Sequence, residues 1–454
     1  MLMPNHQRRL HADFTSENKP ATFFLYLSLC YLFDCLDCTI WKENFYSQRN
    51  IILYEISKGG GTLSSLRYRE CLRGARNVLK DCLAIRPGER ILVVVPAYDT
   101  NTETIVSAGS SVWWTGAVCS SEGPGCDSAL NQTLVDRIDL QLALMAAATE
   151  LGSVVTPFAI DTTSVLDATF NWRDGKKAAH LLKFLKDWNV IIDMTLFGLD
   201  EMPATRKSRK ITNLREEVLD GSQVRGADMH VISRRSFVDG AACADYRSLE
   251  KEITAFKNKF EGVEYLTIKG SGTDLRLNLD KGSASCGTGL VHKPGEWHFL
   301  PSGVIFMRVK KAGNFGRIRL DGPMYGVGSL KDYPLSLELL PRSGIVGRYT
   351  LSDTTPRYIQ KLINDMFNIP ESRCIGELVI GFNPNGSIDS VAPMEFYVAR
   401  GGVSIAFGRN DQIGGEIRPT SELSPSIHAH ALLRNSTVIL DNGTVVIKDG
   451  KLLD

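Results

Sequence analysis

A chain of 454 residues, 43% of them hydrophobic and 23% charged, with a formal net charge of +1, has the composition of a soluble globular protein and is too long for one ordinary core. Such neutrality gives no electrostatic case for nucleic acid or an anionic membrane as a partner. Two globular domains plus extra material are expected.

The first feature along the chain is the apolar-leaning stretch Ala21 to Phe33, preceded by Arg8, Arg9 and Lys19 and ended by Asp34. It is too short to cross a bilayer, and with no small-residue cleavage site after it, it reads as a leader or a packed helix rather than a secretion signal. Ten cysteines, at 30, 35, 38, 71, 82, 119, 126, 243, 286 and 374, show no repeated spacing, and Cys35-Leu-Asp-Cys38 has no second pair. Reduced, mostly buried thiols and a cytoplasmic location are expected.

Regular structure starts near Leu63. Leu66, Cys71, Leu72, Ala75, Val78, Leu79 and Cys82 recur at helical spacing, Arg86-Pro-Gly-Glu-Arg90 ends the helix, and Ile91-Leu-Val-Val-Val-Pro96 reads as a covered parallel strand. Residues 101–133 show no periodicity and read as an irregular insertion. Helices at 134–151, 178–186, 214–219 and 246–260 then alternate with strands at 154–160, 190–194 and 229–232, the pattern of a mainly parallel, doubly wound sheet. No GxGxxG follows any of these strands, so a dinucleotide site is not indicated.

From about Tyr265 the period changes to two. Runs from 265, 273, 304, 316 and 336 alternate apolar and polar residues, a helix spans 356–366, and further strands are expected at 377–382, 403–407, 437–440 and 445–448. Asp441-Asn-Gly443 joins the last two as a hairpin turn. The expected fold is α/β. It comprises an irregular extension (1–62), an α/β domain (63–262) and a β-rich α+β domain (263–454).

Near the end stands His428-Ala429-His430. On a strand, residues i and i+2 share a face, so both imidazoles can converge on one metal ion. The bland reading is two polar residues on the wet face of an edge strand. Further polar clusters lie at Glu296-Trp297-His298, at Gly376-Glu377 and at Gly414-Gly-Glu416. A set of two histidines and one carboxylate leaves coordination positions open, suiting Fe(II) and dioxygen, while zinc with the same ligands activates a water.

Gly295-Glu-Trp-His-Phe-Leu-Pro-Ser-Gly303, the run from Gly376 to Pro384, Gly402-Val-Ser-Ile-Ala-Phe-Gly408 and His428 followed by Leu433-Arg-Asn435 resemble the aminopeptidase T superfamily, which also holds iron-dependent dihydroxypyridine ring-opening dioxygenases. The similarity spans roughly residues 65 to 450 apart from the insertion. Two positions depart from the peptidase pattern, since Val304 stands for a glutamate and Ser404 for a histidine. Glu377 matches a metal-ligating glutamate of the peptidases, replaced by histidine in the dioxygenases. His428 matches the first residue of a His-x-Asp motif whose Asp is here His430.

The resemblance therefore implies a mononuclear site of Glu377, His428 and His430 holding Fe(II), in an enzyme opening a small hydroxylated heteroaromatic ring. Zn(II) or Co(II) in a metallo-aminopeptidase is the alternative, and a degenerate, silent relative is another. His298 is a candidate for proton transfer or substrate orientation, its bland reading a hydrogen-bonded core histidine. Glu416 is a second catalytic candidate, against which stands a solvated loop charge. A small-molecule substrate and a homo-oligomeric state are expected, with no nucleic-acid or membrane partner.

Overall fold

The computed structural model describes residues 64–96, 139–160, 182–194, 203–207, 210–229, 232–341, 343–418 and 428–453. The stretch 21–33, the Cys35–Cys38 pair and the run 101–133 lie outside them. Among the described residues, no helix is long and apolar enough to cross a membrane.

Five parallel strands form the first sheet: β1 (Arg90–Pro96), β2 (Val154–Ile160), β3 (Val190–Asp193), β4 (Arg225–Asp228) and β5 (Trp297–Phe299). Their order is β5-β4-β3-β1-β2, so the winding reverses at β1. Ile91 to Val95 are buried on both faces of the sheet, as a parallel strand covered on each side requires. Helices at Ser64–Glu70 and Leu72–Asn77, a π-helical turn at Val78–Cys82 and the helical segment 139–150 supply the apolar residues of this layer.

Two strands differ from the sequence reading. The fourth lies at Arg225–Asp228, not at 229–232, and the fifth comes from the C-terminal half of the chain. The sequence Arg-Gly-Ala-Asp carries no apolar run, yet all four residues are buried. Arg225 is tolerated inside because its guanidinium forms a two-pronged pair with Glu89, at 2.9 and 2.7 Å, and also bonds the carbonyls of Leu83 and Ala84. Burial pushes the Glu89 carboxyl up, but Arg225 and Arg86 outweigh it and hold the group below its usual value.

The C-terminal half is built on antiparallel sheets. One has eight strands, in the order Val346–Thr350, Leu335–Leu339, Phe315–Leu320, Thr273–Asn278, Tyr265–Gly270, Thr437–Leu440, Val445–Lys448 and Lys451–Leu452. Strands of another include β6 (Val304–Arg308), β7 (Ile375–Gly381), β8 (Val403–Gly408) and β9 (His428–Leu433), adjacent in the order β9-β8-β7-β6. Helices pack by their apolar stripes. Tyr246–Lys257 buries Tyr246, Leu249, Ile253 and Phe256, and Asp245 caps its first turn by accepting from the N–H groups of Arg247 and Ser248. Arg357–Asn368 buries Ile359, Ile363, Met366 and Phe367. Cys71, Cys82, Cys243, Cys286 and Cys374 are free thiols, all but Cys286 buried.

Candidate metal centre

Strand register brings the three expected ligands together. Glu377 on β7 stands opposite Ala406 on β8, Ala406 opposite His430 on β9, and Gly408 opposite His428. Cross-strand partners share a face, so all three donors project from one side of the sheet. Ala429, Ala431 and Leu433 take the other side with Leu378, Ile380, Ile405 and Phe407, in the main apolar core. Ala406 and Gly408 have almost no side chain, which leaves room for the longer groups on either side to lean inward. One donor atom each from Glu377, His428 and His430 lie within 4.8 Å of one another.

A β-bulge between Ile375 and Glu377 helps aim the carboxylate, since a bulge bends its strand and increases the local twist. Only glycine fits within it. A Cβ on Gly376 would stand 2.6 Å from the carbonyl oxygen of Gly408.

The two histidines are held differently. His428 places Nδ1 2.9 Å from the carbonyl oxygen of Arg409, so Nδ1 carries the proton and donates it, and Nε2 faces Glu377 Oε2 at 3.0 Å. His430 has its Nδ1 buried with no hydrogen-bond partner. Its ring meets His428 edge-on, with centroids 4.8 Å apart, and lies nearly parallel to the ring of Tyr397 at 5.1 Å and 25°.

Electrostatics suit a cation. Burial alone would push the Glu377 carboxyl up, but the hydrogen bond and charge of His428, with His430 nearby, hold it below its usual value. Burial, and the charge of His428, lower His430 to about 4, against the pull of Glu377, so its imidazole is neutral at pH 7. A carboxylate kept ionised, the neutral imidazole of His430 and, once a metal displaces the Nε2 proton shared with Glu377, that of His428 match a divalent metal of the first transition row. The residues fit the group.

The other candidates are not among the three clustered donors. His298 lies on β5, opposite Ala227 of the parallel sheet, and burial lowers its basicity against the raising effect of Glu296. Glu416 is exposed on a loop, where its carboxylate accepts the backbone N–H of Lys311 at 2.7 Å. Val304 is buried in a small apolar cluster with Ala241, Val379 and Val398. Ser404 shares the face of Glu377, opposite Val379, and its buried Oγ has no hydrogen-bond partner. Arg434 pairs with Asp389 at 2.8 Å.

Tyr397 is absent from the sequence reading. It follows the short helix Pro393–Phe396, its hydroxyl donates to Met394 Sδ at 2.6 Å, and it packs on the cluster around Val379. Burial, with Glu377, Asp228 and Tyr325, pushes its phenol well above the usual value. No motif or periodicity marks this residue; only the fold brings it to His430.

No family model matches the chain, and no curated protein matches it. Solved structures do. The structure of 2,5-dihydroxypyridine dioxygenase from Pseudomonas putida aligns over 85% of this chain and 97% of its own, with a TM-score of 0.57 at 14% identity. The chain has this dioxygenase's fold. AmpT from Thermus thermophilus aligns over 85% of this chain and 99% of its own, with a TM-score of 0.48 at 12% identity. At the level of fold, the α/β layer with a sheet-rich C-terminal half agrees with the resemblance carried by the motifs.

Proposed function

We propose that the protein is a mononuclear metal-dependent enzyme of the dioxygenase type, opening a small hydroxylated heteroaromatic ring such as a dihydroxypyridine. The observation that carries this reading is the convergence of Glu377, His428 and His430 to within 4.8 Å. Likeness in fold to 2,5-dihydroxypyridine dioxygenase supports it. Bound by these three side chains, Fe(II) would supply Lewis acidity toward a ring hydroxyl and one-electron chemistry toward dioxygen, at the positions a 2-His-1-carboxylate set leaves open.

The chain's own contributions follow from its contacts. Glu377 supplies the negative charge, and the proton on His428 Nε2 that it accepts is the one a metal would displace. The Arg409 carbonyl keeps His428 Nδ1 protonated, leaving Nε2 as the ligand atom. The partly exposed residues Tyr397, stacked on His430, and Phe306, packed like Tyr397 on the Val379 cluster, suit a flat ring. His298, neutral because burial lowers its basicity, would accept a proton from a ring hydroxyl.

A two-metal peptidase needs further carboxylate and imidazole ligands, and where they are expected this chain has an apolar Val304 and the single hydroxyl of Ser404. This supports one metal per chain. A cytoplasmic, homo-oligomeric enzyme acting on a small molecule, with no nucleic-acid or membrane partner, completes the reading.

Metal analysis of the purified chain tests it. One equivalent of iron is expected in wild type and almost none in His428→Ala, with dioxygen consumed when a dihydroxypyridine is added to the former. Unchanged metal in the variant would sink the ligand assignment, and two equivalents with release of N-terminal residues from peptides would favour the aminopeptidase.

A further inference from the structure

Metal-ligating histidines are ordinarily oriented by a hydrogen bond at the ring nitrogen that does not face the metal. His428 has such a bond, to the carbonyl of Arg409 at 2.9 Å. Among the described residues His430 has no ring hydrogen bond at its buried Nδ1, and its ring contacts are with His428, edge-on, and Tyr397. The one stacked on its face is the ring of Tyr397, at 5.1 Å and 25°.

Tyr397 is itself well anchored. Its hydroxyl is turned onto Met394 Sδ rather than toward any of the three ligands, and its ring packs against the apolar cluster of Ala241, Val304, Val379 and Val398. Val304 and Val379 belong to β6 and β7, and Val379 lies two residues from Glu377. The surface that holds Tyr397 is thus the same sheet that carries the carboxylate.

We infer that Tyr397 is the positioning residue for His430, fixing by ring stacking the imidazole plane that Arg409 fixes by hydrogen bonding for His428. This rests on the metal-site reading above. The aromatic face does the positioning, and the hydroxyl is dispensable. A stack leaves the ring nitrogens free of any competing acceptor, whereas a hydrogen bond would commit one of them.

The test uses the full chain loaded with Co(II) alone, with chelator-driven release followed by the visible absorbance of the bound ion. Tyr397→Phe keeps the flat face and should release cobalt within about twofold of the wild-type rate. Tyr397→Leu should release it at least about tenfold faster, the size of effect that lost outer contacts of ligating histidines produce. Far-UV circular dichroism of the apo proteins should be unchanged. Should Tyr397→Leu not fold, Tyr397→Met, which keeps the apolar bulk without a rigid face, must show the same faster release. If Leu and Met variants hold cobalt as wild type does while His430→Ala loses it, the inference falls and the metal-site reading stands. If wild type takes up no cobalt, or His430→Ala retains it, both fall.

Discussion

Glu395 carries a carboxyl group into the interior near Tyr397, where the N–H of Ala241 reaches Oε1 at 3.2 Å and Oε2 has no hydrogen-bond partner. Burial raises this carboxyl above the usual carboxylate range, outweighing the Ser236 hydroxyl and the Ala241 N–H. Between the unfolded and folded values the native state binds more protons than the unfolded one, so this group lowers stability as pH rises through that window. Glu395→Gln keeps an acceptor for Ala241 and removes the penalty. Its urea midpoint should exceed that of wild type at pH 7, and the advantage should vanish as pH falls below the unfolded value. An unchanged difference across that range would contradict the assignment. At this scale the sequence was informative where chemistry is spelled by residue type, as in His428, His430 and Glu377. It was silent on Glu395 and Tyr397, whose roles come from what surrounds them.

Among the elements, β7, β8 and β9 show how little side chain a site needs in its middle. Ala406 lies between Glu377 and His430 in one cross-strand row and is fully buried. Ala406→Val would push methyl groups into the space over which the ligands lean. The expected outcome is at least a tenfold loss of metal affinity, with a stability cost of about 1–3 kcal/mol from overpacking, read by metal titration and urea unfolding. Retained affinity would mean the ligands do not meet above Ala406. The segment at 428 is not among the strands expected from alternation, but a strand there would place His428 and His430 on one face, and the structure makes it one, with Ala429 and Ala431 buried on the other face. Periodicity failed for β4, because Arg225 and Asp228 are buried through ion pairs, with Glu89 and with Arg215 at 3.0 Å. It failed for β5 because three residues are too few to show a period.

In the molecule as a whole, the α/β layer and the antiparallel sheets are tied by a buried polar knot. Asn383 donates to the carbonyls of Ala241 and Ser302 through Nδ2, at 3.0 and 2.9 Å, and accepts the N–H of Asn385 at Oδ1. Tyr246 adds a hydroxyl to the Ala241 carbonyl and receives the N–H of Ser302. Asn383→Ala would leave the Ser302 carbonyl and the Asn385 N–H without this partner and the Ala241 carbonyl with Tyr246 alone, so unfolding in urea should show a loss of about 2–4 kcal/mol. A loss under about 0.5 kcal/mol would mean that water or relaxation satisfies the partners. Ser302 and Asn383, which carried part of the family resemblance, are thereby accounted for as structure. What the sequence determined by itself is the order of most of the longer helices and strands, the faces of the alternating strands and the chemical kinds of the three ligands, because each depends on local periodicity or residue type. Tertiary structure alone decided that β5 closes the parallel sheet, that Glu377 and His430 flank Ala406, and that Tyr397 lies against His430. These are matters of register and packing between segments far apart in the chain, and no local pattern encodes them.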